Sequence, residues 1–149
     1  MPPEIIPTPP KYSIVVPLHN EAASIRELHE RLSRVMTGHY EPVEFVYIDD
    51  HSADGTAAIL AELAAIDPRI LLLRLKRNYG QTTALAAGFD YASGEIIISM
   101  DGDLQHDPND IPIMLKRSNR LAATSSAAGA RSASTISSSA VFRRAWRTG

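Results

Sequence analysis

Cysteine is absent from the 149 residues, which excludes disulfide bonds and any zinc site built on thiolates. No apolar run approaches the roughly 20 residues that a helix needs to cross a bilayer. The opening Met1-Pro2-Pro3-Glu4 lacks the basic-then-apolar layout of a secretory signal. The 5 histidines are scattered without ligand-like spacing. Acidic residues are missing altogether beyond Asp110.

That last absence divides the chain. Residues 1–115 carry 8 Lys+Arg against all 17 Asp+Glu, a balance of −9, whereas residues 116–149 carry 7 basic residues and no acid, a balance of +7. Ser and Ala fill 16 of the last 32 positions without apolar periodicity. The apolar fraction of 44% and charged fraction of 21% suit a single modest globular domain with a real core. The expected organisation is a Pro-rich extended arm over residues 1–11, a folded domain over 12–115, and an irregular basic Ser/Ala-rich tail over 116–149. A basic tail alone would suggest nucleic acid or an anionic membrane as partner.

Residues 12–115 alternate between two periodicities. Residues 12–16 read as a strand stopped by Pro17, and Asn20 as the N-cap of a helix whose Ile25, Leu28, Leu32 and Val35 recur at helical spacing to Met36. Residues 43–48 read as a second strand and 70–75 as a third. Between them Asp54-Gly55-Thr56 opens a helix striped by Ile59, Leu60, Leu63 and Ile66. The Ala- and Leu-rich residues 80–91 form a third helix closed by Gly94, residues 95–100 a fourth strand, and Asn109 starts another helix. Strict alternation predicts an α/β fold, a parallel sheet joined by right-handed crossovers and covered by helices on both faces.

Ligands of such sheets sit beyond the carboxyl ends of the strands. Those ends carry Pro17, His19, Asn20 and Glu21; Asp49, Asp50 and Ser52; Arg77, Asn78 and Gly80; and Asp101, Asp103 and Gln105. Each set has an ordinary reading: Asn20 and Asp54 as helix caps, Asp49-Asp50 as turn residues, Arg77 as a solvated charge, Asp101-Gly102-Asp103 as a surface turn. Together they suggest recognition of a nucleoside diphosphate. Carboxylates can accept from a base or ribose, and a cation and helix N-terminal N–H groups can face phosphate. Asp101 and Asp103, at i and i+2 on an extended segment, would leave the strand on one side. A hard divalent ion, Mg²⁺ or Mn²⁺, would relieve their repulsion, with Gln105 as a third oxygen donor. A dinucleotide-binding protein is disfavoured because no G-x-G-x-x-G follows the first strand. An Asp-nucleophile hydrolase is disfavoured because that strand ends in Pro17-Leu18-His19-Asn20.

Four segments occur in order: Val15-Val16-Pro17-Leu18-His19-Asn20-Glu21; Tyr47-Ile48-Asp49-Asp50-His51-Ser52-Ala53-Asp54-Gly55-Thr56; Arg77-Asn78-Tyr79-Gly80-Gln81; and Met100-Asp101-Gly102-Asp103-Leu104-Gln105-His106-Asp107-Pro108. On these residues the chain resembles the inverting family 2 glycosyltransferases with the GT-A fold. Within them it resembles the polyprenyl-phosphate branch that includes dolichyl-phosphate mannose synthase and bacterial undecaprenyl-phosphate sugar transferases. The resemblance covers residues 12–115, with His19 standing where the family more often has Tyr. It implies that Pro17, His19, Glu21, Asp49, Asp50, Arg77, Asn78 and Gly80 bind the donor nucleotide. It further implies that Asp101, Asp103 and Gln105 hold Mg²⁺ or Mn²⁺, the two aspartates being the catalytic pair. The implied reaction transfers a sugar from a UDP- or GDP-hexose to a polyprenyl phosphate, with no nucleic acid involved. The implied setting is the cytoplasm, or the cytoplasmic membrane face for a longer form carrying the acceptor half.

That acceptor half is not recognisable after Leu115. Residues 124–130, taken back to allowed codons and shifted in frame, permit DVVSGWR, which resembles the family's next strand and loop. The expectation is a frame change near residues 113–123 that leaves a GT-A nucleotide-sugar-binding domain incomplete, with catalysis by this form left open. The alternatives are a genuine disordered basic tail and, in function, a nucleotide-sugar-binding fragment without catalysis.

Overall fold

The computed structural model describes residues 9–124, 134–136 and 139–143. Strands β1 (Tyr12–Leu18), β2 (Val43–Asp49), β3 (Ile70–Arg74) and β4 (Ile96–Ser99) alternate with helices α1 (Ile25–Met36), α2 (Thr56–Ile66), α3 (Gln81–Tyr91) and α4 (Ile111–Thr124). Strands β5 (Ser134–Ile136) and β6 (Ser139–Arg143) follow. The sheet runs β3-β2-β1-β4-β6-β5. The pairs among β1 to β4 are parallel and the two pairs made by β6 are antiparallel.

Alternation along β1 builds two cores. Ile14, Val16 and Leu18 join α1, Leu60 of α2 and Met114 of α4 on one face, while Val15 joins Ile48 and Ala84 of α3 on the other. Helices therefore cover both faces, as the alternation predicts. Each fully buried Ile or Leu in these layers contributes about 1.5–3 kcal/mol. Helix α3 lies close on the sheet at Gly88, where a Cβ would stand 2.5 Å from Val15 Cγ1.

Several boundaries differ from expectation. Pro17 lies inside β1 rather than after it. The pairing of β1 with β4 ends at Val15↔Ser99, so the N–H that proline lacks falls where no partner strand remains. Asn20 does not cap α1. It adopts φ 54° in the loop, and α1 starts after Ser24 because the Asn20 amide is engaged with the neighbouring loop instead. Helix α3 ends at Tyr91 as expected, but Ala92 rather than Gly94 caps it.

The expected irregular tail is helical to Thr124, and its β6 closes the open edge of β4. Val141 enters the first core and Phe142 packs on the second, edge-to-face with Phe89 at 5.1 Å. Residues 1–8 of the expected arm lie outside the described residues. So do residues 125–133, 137–138 and 144–149, with most of the stretch on which the frame-change expectation rests.

Candidate functional site

Strand order reverses at β1: β2 and β3 lie to one side of it, β4 to the other. A crevice opens at that switch point, where doubly wound sheets bind ligands. β1 runs beyond the last β4 pairing by three residues, Val16, Pro17 and Leu18. The resulting cleft of about 180 Å³ is lined by Pro17, Leu18, His19, Glu21, Asp50, Gln81, Ala84, Asp101, Gly102 and Asp103.

The loop after β1 is laced to the loop after β2. Asn20 N–H donates to Ser52 Oγ (2.9 Å), Ala53 N–H to Asn20 Oδ1 (2.8 Å), and Glu21 N–H to Thr56 Oγ1 (2.9 Å). Asp54 accepts from Ala22 N–H and from both the amide and hydroxyl of Thr56. The Thr56 bonds hold its carboxyl below the usual range. The imidazole of His19 is held along its edge by three neighbours. Its Nδ1 lies 2.9 Å from the Asp50 carbonyl, which can only accept, so Nδ1 carries the proton. Nε2 then accepts from the amides of Asn20 (3.3 Å) and Asn78 (3.4 Å). Both amides are oriented by backbone donors on their oxygens, from Ala53 and Gly80. With the ring edge engaged, the faces of His19 remain for a ligand.

Asp49 and Asp50 are both buried but have different partners. Asp49 Oδ1 accepts from Ser52 N–H at 3.0 Å, while Oδ2 lacks a hydrogen bond among the described residues and has Arg74 Nε at 3.5 Å. Asp50 clamps the loop before α3, accepting from Tyr79 N–H on Oδ1 and Gly80 N–H on Oδ2, each at 2.8 Å. Two consecutive residues at a strand end point to opposite sides, and only Asp50 reaches the cleft wall.

The turn after β4 supplies the opposite wall. Asp101 and Asp103 both line the cleft, but a bend brings them together rather than an extended segment. Leu104 adopts φ 61°, and Asp103 Oδ1 accepts from Gln105 N–H at 3.1 Å. Gly102 makes room for this bend, since a Cβ there would meet Leu18 Cδ2 at 2.2 Å. Ser24 Oγ lies 2.9 Å from the Gly102 carbonyl and from Glu21 Oε2, tying the start of α1 to the bend. Asp101 Oδ1 accepts from Gln81 Nε2 at 2.7 Å.

Besides Asp49 and Gly80, three candidate residues lie away from the cleft lining. Arg77 sits over the Tyr79 ring at 4.9 Å. Asn78 reaches the cleft only through His19. The Gln105 side chain is exposed outside it. Gln81 was not singled out from sequence. Its signal is its place as first residue of the helix that follows the third strand end.

Among the described residues four carboxylates, from Glu21, Asp50, Asp101 and Asp103, line the cleft with no Lys or Arg beside them. Among the described residues no group of three or more His, Cys, Asp or Glu side chains is placed to enclose a metal by itself. Oδ2 of Asp101 and of Asp103 has no protein hydrogen bond among the described residues. Such a donor set fits a hard cation that completes its coordination with ligand oxygens.

A family model described as Glycosyl transferase family 2 matches residues 13–143. The undecaprenyl-phosphate 4-deoxy-4-formamido-L-arabinose transferase of Proteus mirabilis is 40% identical over 103 residues, 68% of this chain and 32% of its own length. The dodecaprenyl-phosphate galacturonate synthase of Rhizobium johnstonii is 40% identical over 109 residues, 72% of this chain and 32% of its own length. The chain thus spans about a third of the length of the curated relatives it matches. Among solved structures, the mannosyltransferase PcManGT of Pyrobaculum calidifontis in complex with GDP-Man and Mn²⁺ superposes with a TM-score of 0.70 at 22% identity, covering 92% of this chain and 45% of that one. TarS of S. aureus in complex with UDP gives 0.60 at 24% identity, over 73% of this chain and 33% of that one. The fold is that of the GT-A glycosyltransferases.

Proposed function

Because the chain belongs to glycosyl transferase family 2, we propose that its β1–β4 crevice binds the nucleoside diphosphate of an activated sugar. The donor is a UDP- or GDP-hexose, and the acceptor is a polyprenyl phosphate. Both assignments are supported by relatives named for undecaprenyl- and dodecaprenyl-phosphate and by fold neighbours holding GDP-Man or UDP. The observation that carries the proposal is the convergence of Asp101 and Asp103 with His19 and Asp50 at the switch point.

In this assignment Asp101 and Asp103 hold Mg²⁺ or Mn²⁺. The ion supplies charge compensation for the departing diphosphate. An ion is needed because the cleft presents four carboxylates to a polyanion. Of the Asp49-Asp50 pair, Asp50 is the carboxylate on the cleft wall and so the one placed to accept from a base or ribose group. The face of His19 stacks on the base where the family more often uses Tyr. Pro17 lines the floor between them.

Transfer forms a bond between the acceptor phosphate oxygen and the anomeric carbon as the bond from that carbon to the nucleoside diphosphate breaks, with inversion. The attacking phosphate is already anionic at neutral pH, so no protein base is required. A lipid phosphate acceptor places the reaction at a membrane surface, on the cytoplasmic face. No helix among the described residues is long and apolar enough to cross a membrane.

Calorimetric titration of UDP and GDP with and without Mn²⁺ tests the assignment. Asp101→Asn and Asp103→Asn should each weaken the Mn²⁺-dependent binding by at least about tenfold, or ~1.4 kcal/mol. Unchanged binding in both variants would overturn it. A following assay of sugar transfer to a polyprenyl phosphate separates transfer from the alternative, a nucleotide-sugar-binding unit that binds without turnover.

A further inference from the structure

We propose that Gln81 is a positioning residue for the Asp101 carboxylate, itself set in place by the Asp50 clamp on the start of α3. The inference rests on the metal role proposed above for Asp101.

Gln81 Nε2 donates to Asp101 Oδ1 at 2.7 Å, and both residues line the cleft. Asp101 is only half-buried, and it sits on a bend rather than in a strand. Without a donor on one oxygen its carboxylate would be free to turn about its last torsion. With Oδ1 taken, Oδ2 becomes the oxygen left for a cation. An amide is suited to this task because it orients the carboxylate without cancelling its charge. A Lys or Arg in the same place would compete with the ion.

Gln81 can reach Asp101 because α3 begins where it does. Gly80, at φ 93°, turns the chain into the helix. The N–H groups of Tyr79 and Gly80 are both held by Asp50 at 2.8 Å. A continuous line of hydrogen bonds and chain thus runs from the end of β2, through the first turn of α3, to the end of β4. It spans the crevice on the α3 side, so the wall bearing Asp50 and the wall bearing Asp101 are set by one helix start.

Outer groups that orient a metal ligand typically alter metal affinity 10–100-fold when removed. Mn²⁺ binding to the full chain, followed by electron paramagnetic resonance of the free ion, should therefore weaken about tenfold or more in Gln81→Leu. Metal-free binding of uridine and guanosine should change far less than Mn²⁺ binding. Gln81→Ala carries the same expectation and serves if the Leu variant folds poorly. Equal losses of metal and nucleoside binding would indicate general damage and overturn the proposal. So would unchanged Mn²⁺ affinity in Gln81→Leu while Asp101→Asn abolishes it. If Asp101→Asn itself leaves Mn²⁺ affinity unchanged, the metal role fails, and the positioning role fails with it.

Discussion

His19 and His29 carry one side chain into opposite surroundings. His19 is exposed at the cleft mouth, its edge held by backbone and amides. His29 is buried between Tyr47 and Asp67. Asp67 Oδ2, 3.1 Å from Nε2, can only accept, so Nε2 carries the proton and Nδ1 accepts from the Tyr47 hydroxyl at 2.6 Å. Burial lowers the His29 pKa from 6.5 despite the nearby Asp67. The Tyr47 hydroxyl is pushed well up by the same burial. Hydrogen bonds from Arg69 bring Asp67 from 3.8 to about 2. The two shifts act in one direction. Below pH 6.5 the unfolded chain protonates His29 while the folded chain resists, so stability falls as pH falls. Asp67 contributes roughly 2 kcal/mol that is complete above pH 3.8 and is lost as pH drops through about 2. In urea unfolding, the stability gap between the parent and Asp67→Asn should therefore shrink across pH 3.8 to 2. A gap independent of pH over that interval would refute the linkage.

At the level of elements, the start of β4 tolerates little. A Cβ on Gly94 would lie 2.7 Å from Ser13 N and 2.8 Å from Tyr12 C, which are main-chain atoms of the central strand and cannot swing aside. The Gly94 N–H also donates to Ser13 Oγ, which in turn donates to Glu44. Gly94→Ala should cost about 1–3 kcal/mol through this overpacking. It should lower the thermal midpoint without altering nucleotide affinity per folded molecule; a parent-like midpoint would show that β4 can shift away. The elements themselves were largely legible in sequence, since β1 to β4 and α1 to α3 rest on apolar periodicity that survives folding. Their ends were not. Pro17 fits inside β1 only because β4 has already stopped beside it, and Asn20 leaves the helix because Ala53 is there to bond. Neither partner is visible along the chain. β6 escaped notice for a different reason: Val141 and Phe142 are too short an apolar run to stand out, and become a strand by pairing with β4.

At the level of the whole molecule, strand alternation predicted the parallel doubly wound sheet, and the rule that ligands gather at strand ends located the cleft. Which strand-end residues enter that cleft was not legible. Asp50 lines the cleft but gives both oxygens to the α3 loop, Arg77 stacks on Tyr79 outside it, and Gln81 enters it. Such choices depend on distances between segments 20 to 30 residues apart, as for Asp50 with Gly80 or Gln81 with Asp101.

The negative lining of the cleft has a consequence for how a ligand's phosphates register. Without divalent ions, each phosphate added to a nucleoside introduces repulsion, so uridine should bind more tightly than UMP and UMP more tightly than UDP. With saturating Mn²⁺ the ranking should invert, each phosphate now supplying oxygens to the ion. Calorimetry of the three ligands in chelator and in Mn²⁺ would display the reversal directly, and a ranking that keeps the same sense in both buffers would rule it out. The ion would then act as a selector, making the protein blind to spent nucleoside and attentive to the diphosphate end of its ligand.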